Sequence, residues 1–323
     1  MPGVCYIIVV MKNKILILLM SCNQPLYNEE EQACRDTFLK DAENAGISYY
    51  FYKGINDEHP TYLIDEENHT MYLPVSDGLG GTSRKTVYAM GEALRKDDWD
   101  YLIKTNVSTW LDIKKIIEAL DSWDGRGDTN IYGARYLAND ASKKVPFPRG
   151  HFVVLSRELV KGIVQWSPKL IGVDGFPKTD DTLISLSLLY HIQKVLGSKY
   201  QDKLLEVPSI ISWTNEIQDA PEWSDALSIR CKDEKTPTNT PKNMRKVNTL
   251  KRAKKIERNH YRPIGPVETK FGLIPYHLYE VLEAHFKKLT EKKEQEEQQT
   301  QTPPPPPPPQ NKLDEIRKRL GKE

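Results

Sequence analysis

The sequence predicts an α/β protein built on a mostly parallel sheet flanked by helices. Three observations carry that expectation. Short continuous apolar runs, such as ILILLM at 15–20, lack the alternation of a half-exposed strand and read as strands covered on both faces. Segments with apolar residues at helical spacing follow these runs. Strand and helix then alternate along the chain, as crossovers between parallel neighbours require.

Each element can be justified in order. KILILLMSCNQ is an apolar strand running into polar loop residues. EEEQACRDTFLKDAENAG places Ala33, Phe38, Leu39 and Ala42 on one helical face, with Gly46 as its stop. ISYYFYKG is rich in β-formers and reads as the second strand. SRKTVYAMGEALRKD fits a helix, and YLIKTNVSTW opens as a buried strand before turning polar. WLDIKKIIEALDSW carries apolar residues at 113, 116, 117 and 120, again a helical spacing. NIYGARYL and RGHFVVLS read as strands, RELVKGIVQW as a helix, and TDDTLISLSLLYHIQKVLG as a long apolar-rich helix.

The 323 residues fit one α/β domain of about 200–250 residues plus an appendage. A net charge of +1 gives no global attraction to nucleic acid or an acidic membrane, so any basic surface is local. Cys5, Cys22, Cys34 and Cys231 are scattered, with no CxxC pair. That spacing argues against a zinc site or a disulfide framework and fits a reducing, cytoplasmic compartment. Lys12, Asn13 and Lys14 divide the two apolar N-terminal runs, and neither run reaches the roughly 20 residues of a membrane span. Residues 1–14 therefore read as a leader.

Composition changes after residue 230. Residues 232–262 hold eleven Lys or Arg against three acids, so 231–262 reads as a basic segment that could complete a binding site. Residues 263–292 contain HLYEVLEAHFKKL, an amphipathic helix. Residues 293–323 form a polar linker, its prolines 303–309 stiffened as polyproline II, and end in a short helix. Such a tail suits tethering to a protein or a membrane surface.

In open α/β sheets, ligands bind at the carboxyl ends of the strands. That rule singles out Ser21–Gln24, Thr105–Thr109 and the loop before Asp180 and Asp181. Four segments in this order carry a resemblance: LLMSCNQPLYNEEEQACRDTF, DGLGGTSRKTVYAMGEALRKDDWDYLIKTN, FPRGHFVVLSRELVKGI and FPKTDDTLISLSLL. Across about residues 15–230 they resemble the inverting β-1,3-glycosyltransferases and the Fringe group.

The resemblance implies a GT-A-like (Rossmann-like) fold for 15–230, with a helical and partly disordered C-terminal extension. It implies a nucleotide-sugar donor, a glycan or glycoprotein acceptor, and inversion at the anomeric carbon. Asp181 matches the family's general base and Asp180 its neighbour, although paired acids at a helix start are also ordinary capping chemistry. Asp77 and Lys85 match donor-side positions. The chain departs from the family at the end of the YLIKTN strand, where Thr105, Asn106, Val107 and Ser108 replace an Asp-rich metal motif. Asn106 and Ser108 are weak neutral ligands, so a Mn²⁺ or Mg²⁺ ion lacks its usual acids. Asp98-Trp99-Asp100 has the right spelling but lies before the strand, at the wrong end of the sheet.

Without a metal, cationic side chains must stabilise the departing diphosphate. Arg230 and Lys232 are the first candidates, with Lys242, Arg245 and Lys246 behind them. Ser21 and Asn23 are placed for base or ribose contacts, Arg35 for the nucleotide, and His151 for the acceptor. Two other readings stay open: an inactive sugar- or nucleotide-binding module of the same fold, and a basic-tail binder of nucleic acid or an anionic surface. With Tyr261 as its single aromatic, the basic stretch is poorly equipped for base stacking, so no nucleic-acid partner is expected.

Overall fold

The computed structural model describes residues 13–96, 98–124, 132–137, 147–171, 179–191, 194, 204–206, 209–211, 226–233 and 236–253, with scattered positions between 284 and 319. The chain divides into two compact units, Met1–Tyr279 and Glu280–Glu323.

The first unit opens with β1 (Ile15–Met20), α1 (Pro25–Asp36), α2 (Phe38–Asn44) and β2 (Ser48–Ile55). The single helix expected over 29–46 breaks at Thr37, whose backbone (φ −117°, ψ −107°) leaves the helical region. Two strands that the sequence reading passed over come next, β3 (Leu63–Asp65) and β4 (Thr70–Ser76). The chain continues through α3 (Thr82–Arg95), β5 (Tyr101–Asn106), β6 (Thr109–Leu111) and α4 (Ile113–Asp124). Then follow β7 (Tyr132–Leu137), β8 (Phe147–Ser156), α5 (Arg157–Leu170) and α6 (Asp180–His191). Short strands β9 (Leu204–Glu206), β10 (Ser209–Ile211) and β11 (Ser228–Arg230) precede α7 (Thr240–Ala253).

Eight strands form the main sheet in the order β3-β4-β2-β1-β5-β8-β7-β9. The central block β4-β2-β1-β5 is parallel, and β7 pairs with β9 in parallel. β3 is antiparallel to β4, and β8 is antiparallel to both β5 and β7. A smaller sheet, β10-β11-β6, joins Arg230 of β11 to Thr109 of β6.

Alternation along the strands supplies two cores. Ile15, Ile17, Leu19, Tyr101, Ile103, Phe152 and Val154 face α1, α2, α4 and α7, while Leu16, Leu18, Leu102, Val153 and Leu155 face α3, α5 and α6. All these side chains are buried, so both sheet faces are dry and the strands read as continuous apolar runs. α7 belongs to the first of these cores through Met244 and Val247, both fully buried, and Arg245 pairs with Asp36 of α1 at 2.8 Å. The middle of the basic segment is thus a packed helix.

Residues 1–12, and with them Cys5 and most of the leader, lie outside the described residues. So does most of 263–323; the described positions there, including 287–288 and 294–296, are helical and exposed. Among the described residues, no helix is long and apolar enough to cross a membrane.

Candidate active site

The carboxyl ends of β1, β2, β4 and β5 share one edge of the sheet. Register places Met20 beside Asn106, and the Ser21 amide donates to the Tyr52 carbonyl at 3.1 Å. Because β8 runs the other way, its beginning lies at this edge: Thr105 pairs with Phe152, and Gly150 and His151 lie just beyond. α6 starts here too, with Asp180 and Asp181 in its first turn.

Lys104, two residues before the end of β5, organises this corner. Its side chain is fully buried between β5 and α6. The ammonium forms an ion pair with Asp180 and donates to the Gly150 carbonyl (2.5 Å) and to Asn106 Oδ1 (3.2 Å). Burial disfavours its charge, yet Asp180, the Tyr52 phenol and Asp181 outweigh that and raise its pKa well above the ordinary lysine value. Asp180 is likewise penalised by burial, but the ammonium beside it holds its carboxyl below the usual range. Asp181 is the opposite case. Burial and then the charge of Asp180 push it up to about 7, against a smaller pull from Lys104 and from the Gly150 N–H that donates to it. Two adjacent carboxyl groups therefore divide their roles: Asp180 stays ionised and Asp181 titrates near neutrality.

Gly150 makes this fit sterically. A Cβ there would lie 2.7 Å from the Asp181 carboxyl carbon and 3.0 Å from Lys104 Nζ. The site requires a residue without a side chain at position 150 of β8.

The neighbouring part of the edge is a latch. Asp77, after β4, accepts from Lys85 Nζ (2.7 Å), the Gly54 amide (2.8 Å) and the Asn23 amide (2.5 Å). Burial raises its pKa, but these donors, Lys85 foremost, bring it below the ordinary aspartate value. Lys85 also donates to the Ser21 carbonyl at 2.7 Å, and Asn23 Nδ2 to the Gly54 carbonyl at 2.8 Å. Asp77 and Lys85 thus join four elements and shape the loop that carries Ser21 and Asn23. The Ser21 hydroxyl donates to Glu31, which pairs with buried Lys53 at 2.8 Å.

Beyond β5, Ser108 is buried and its carbonyl accepts the Cys231 amide at 2.8 Å, so β11 lies against the same turn. Arg230 and Lys232 flank Cys231 and share the field of Glu30, a buried carboxyl of α1. Burial pushes Glu30 up to about 7 despite the lowering effects of Lys232, the Thr240 hydrogen bond and Arg230.

Three expected site residues lie elsewhere. Arg35 sits near the end of α1 and donates to Tyr49 Oη (3.2 Å) and the Asn68 carbonyl (2.6 Å), with its guanidinium 4.7 Å from the Phe51 ring centre. Tyr49 is the second residue of β2, so Arg35 lies toward the amino end of that strand, away from the loop that carries Ser21. A helix register read from sequence does not say which end of the sheet a side chain reaches. Thr105 faces the other side of β5 from Lys104 and donates to the His151 carbonyl at 2.6 Å, locking β5 to β8. His151 is itself buried, 1% exposed. Asp98 and Asp100 lie at the amino edge beside Lys14, as their place before the strand implies. Arg245 is spent on Asp36.

The sequence reading missed Lys104, Gly150 and Glu30. Lys104 had a visible signal: a cation inside an apolar strand must find a buried acid.

A divalent cation of the kind the family resemblance implies would sit at the end of β5, and the residues there do not fit one. An ammonium donates only, so the amide atom facing Lys104 is the Asn106 oxygen, and its one good ligand atom is already used. The same ammonium would repel a divalent ion, and Val107 and Ser108 add no carboxylate. Among the described residues, no group of three His, Cys, Asp or Glu side chains could hold a metal.

No protein-family model matches the chain, and no characterised protein matches it by sequence. Solved structures with similar backbones include a glycosyltransferase involved in glycosylation of the major capsid of PBCV-1. It is 11% identical with a TM-score of 0.45, and the match covers 72% of this chain and 99% of that one. Another is the galactosyltransferase LgtC, solved with donor and acceptor sugar analogs, 8% identical with a TM-score of 0.38 over 72% of this chain and 95% of that one.

Proposed function

We propose that the chain transfers a sugar from a nucleotide-sugar donor to an acceptor hydroxyl, with inversion and with Asp181 as general base. The observation that carries this is the Asp180–Asp181 pair at the ligand-binding edge of the sheet, where Asp181 titrates at about 7. A base of that pKa is about half ionised near pH 7 and basic enough to accept a proton as the new bond forms.

In the proposed step, the acceptor oxygen attacks the anomeric carbon from the face opposite the leaving group. The bond from that carbon to the diphosphate oxygen breaks, and its electron pair leaves with the nucleoside diphosphate. The hydroxyl proton passes to Asp181. Asn23, part-exposed in the loop after β1, contacts the nucleoside, whereas Ser21, expected there from sequence, is buried and only shapes that loop; Asn106 offers its amide N–H bonds to donor oxygens. Arg230 and Lys232 oppose the growing charge on the diphosphate.

The test is turnover of a panel of UDP-sugars, by hydrolysis or transfer, with Mn²⁺ and with EDTA. Turnover that survives EDTA and vanishes in Asp181→Asn, with donor binding retained by calorimetry, supports the reading. Unchanged turnover in Asp181→Asn removes Asp181 from its role. Donor binding without turnover in the native chain favours the binding module instead.

A further inference from the structure

Lys104 is the most fully committed cation at this edge. An ammonium has three protons and accepts nothing. Here three acceptors meet it, from three different elements: the Asp180 carboxylate of α6, the Gly150 carbonyl of β8 and Asn106 Oδ1 of β5 itself. None of its surface is exposed, so it cannot touch a substrate. What it does for chemistry it does through its neighbours.

Its geometry treats the two carboxyl groups unequally. The ion pair runs to Asp180, while Asp181 turns toward the N–H of Gly150. The other groups facing Asp181 are Asp180 on its own helix and the Tyr52 phenol of β2, which is neutral and hydrogen-bonded to Thr86 of α3 at 3.1 Å. No second cation among these neighbours could hold Asp180 ionised.

We propose that Lys104 is a positioning residue: by fixing the charge of Asp180, it directs the proton that reaches the carboxylate pair onto Asp181. This deepens the glycosyl-transfer reading and rests on it for its purpose, though not for its test. In the transfer step the acceptor's proton ends on Asp181, and Asp180 keeps its charge and its bond to the ammonium throughout. If the proton moved to Asp180, the pair with Lys104 would be lost and a cation would be left buried without a counter-charge.

The experiment uses the full chain without substrate. Aspartate carboxyl carbons are labelled with ¹³C and lysine Nζ with ¹⁵N, and both are followed by NMR against pH. One carboxyl is expected to titrate near pH 7 and to be missing in Asp181→Asn. The Nζ resonance of Lys104, assigned by its loss in Lys104→Met, should exchange slowly with water and shift with that same midpoint. In Lys104→Met, Asp180 loses its counter-charge, so its own carboxyl midpoint, assigned by its loss in Lys104→Met with Asp180→Asn, should rise by about one pH unit or more, a tenfold change in proton affinity. A Lys104 resonance blind to the Asp181 titration would overturn the proposal, as would an unchanged Asp180 midpoint in a folded Lys104→Met. If that variant does not fold, the native Nζ titration decides alone. Loss of the coupling leaves the transfer reaction standing, whereas intact coupling in a chain that transfers no sugar overturns only the reaction.

Discussion

Replacing Glu30 with glutamine should flatten the stability of this protein against pH. Glu30 is buried in α1, and its carboxyl is raised from the 4.5 of an ordinary glutamate to about 7. Burial is the main cause, and Lys232, Thr240 and Arg230 only partly offset it. The folded state therefore binds this proton more tightly than the unfolded chain. The resulting stability is fully present below the unfolded value and is lost as pH rises through about 7. At about 1.4 kcal/mol per tenfold in proton affinity, that gap corresponds to about 2.5 kcal/mol between pH 5 and pH 8.5. Urea unfolding of the native chain and of Glu30→Gln at those two pH values measures it. Asp181 contributes in the same direction to both proteins and cancels in the comparison. The native chain should lose about 2.5 kcal/mol more than the variant. Parallel losses would refute the account of Glu30.

Other outcomes follow from the same geometry. If Asp181 is the base, turnover should fall as pH drops through about 7, because protonation removes the acceptor of the hydroxyl's proton; a rate flat from pH 8 to pH 5.5 would contradict this. Gly150→Ala should fold yet lose turnover by about 100-fold or more, since the new methyl displaces the Asp181 carboxylate; kcat against far-UV circular dichroism separates the two effects. Lys53→Met should cost about 3–5 kcal/mol in urea unfolding by leaving Glu31 buried without its cation. Two helical glycines should respond with opposite signs. Gly91→Ala meets nothing within 4 Å and should stabilise by about 0.5–1 kcal/mol, whereas Gly162→Ala drives a methyl to 2.5 Å from His191 Cδ2 and should destabilise by about 1–3 kcal/mol.

Much of this molecule was legible in its sequence, for identifiable reasons. Strands β1, β2 and β5 are covered on both faces, so their apolar runs had a single reading. β4 was missed because Pro74 argues against a strand interior. It is tolerated because β3 pairs only as far as Tyr72, and the β2–β4 register shifts between Gly54 and Ile55, so no ladder bond needs its nitrogen. The direction of β8 could not be read, since RGHFVVLS looks the same whichever way it runs. In the site, Asp180 and Asp181 announced themselves as adjacent acids opening a helix. Lys104, a cation inside an apolar strand, showed only that some acid must meet it; which one could not be read, because its carboxylate partner lies far along the chain and only the folded sheet brings them together. Arg35 was misplaced for the complementary reason: periodicity gives a helix face but not the end of the sheet it reaches.

The docking of α7 sets a practical limit on how the chain can be shortened. A version ending at residue 230, where composition suggests a border, would strip Met244 and Val247 from the layer over β1 and β5 and uncover apolar surface on α1. It would also free the Trp110 indole from Asn248. Any trimmed form meant to keep this layer covered should run at least through Ala253, so the stretch that looks most dispensable by charge is the one that seals the domain.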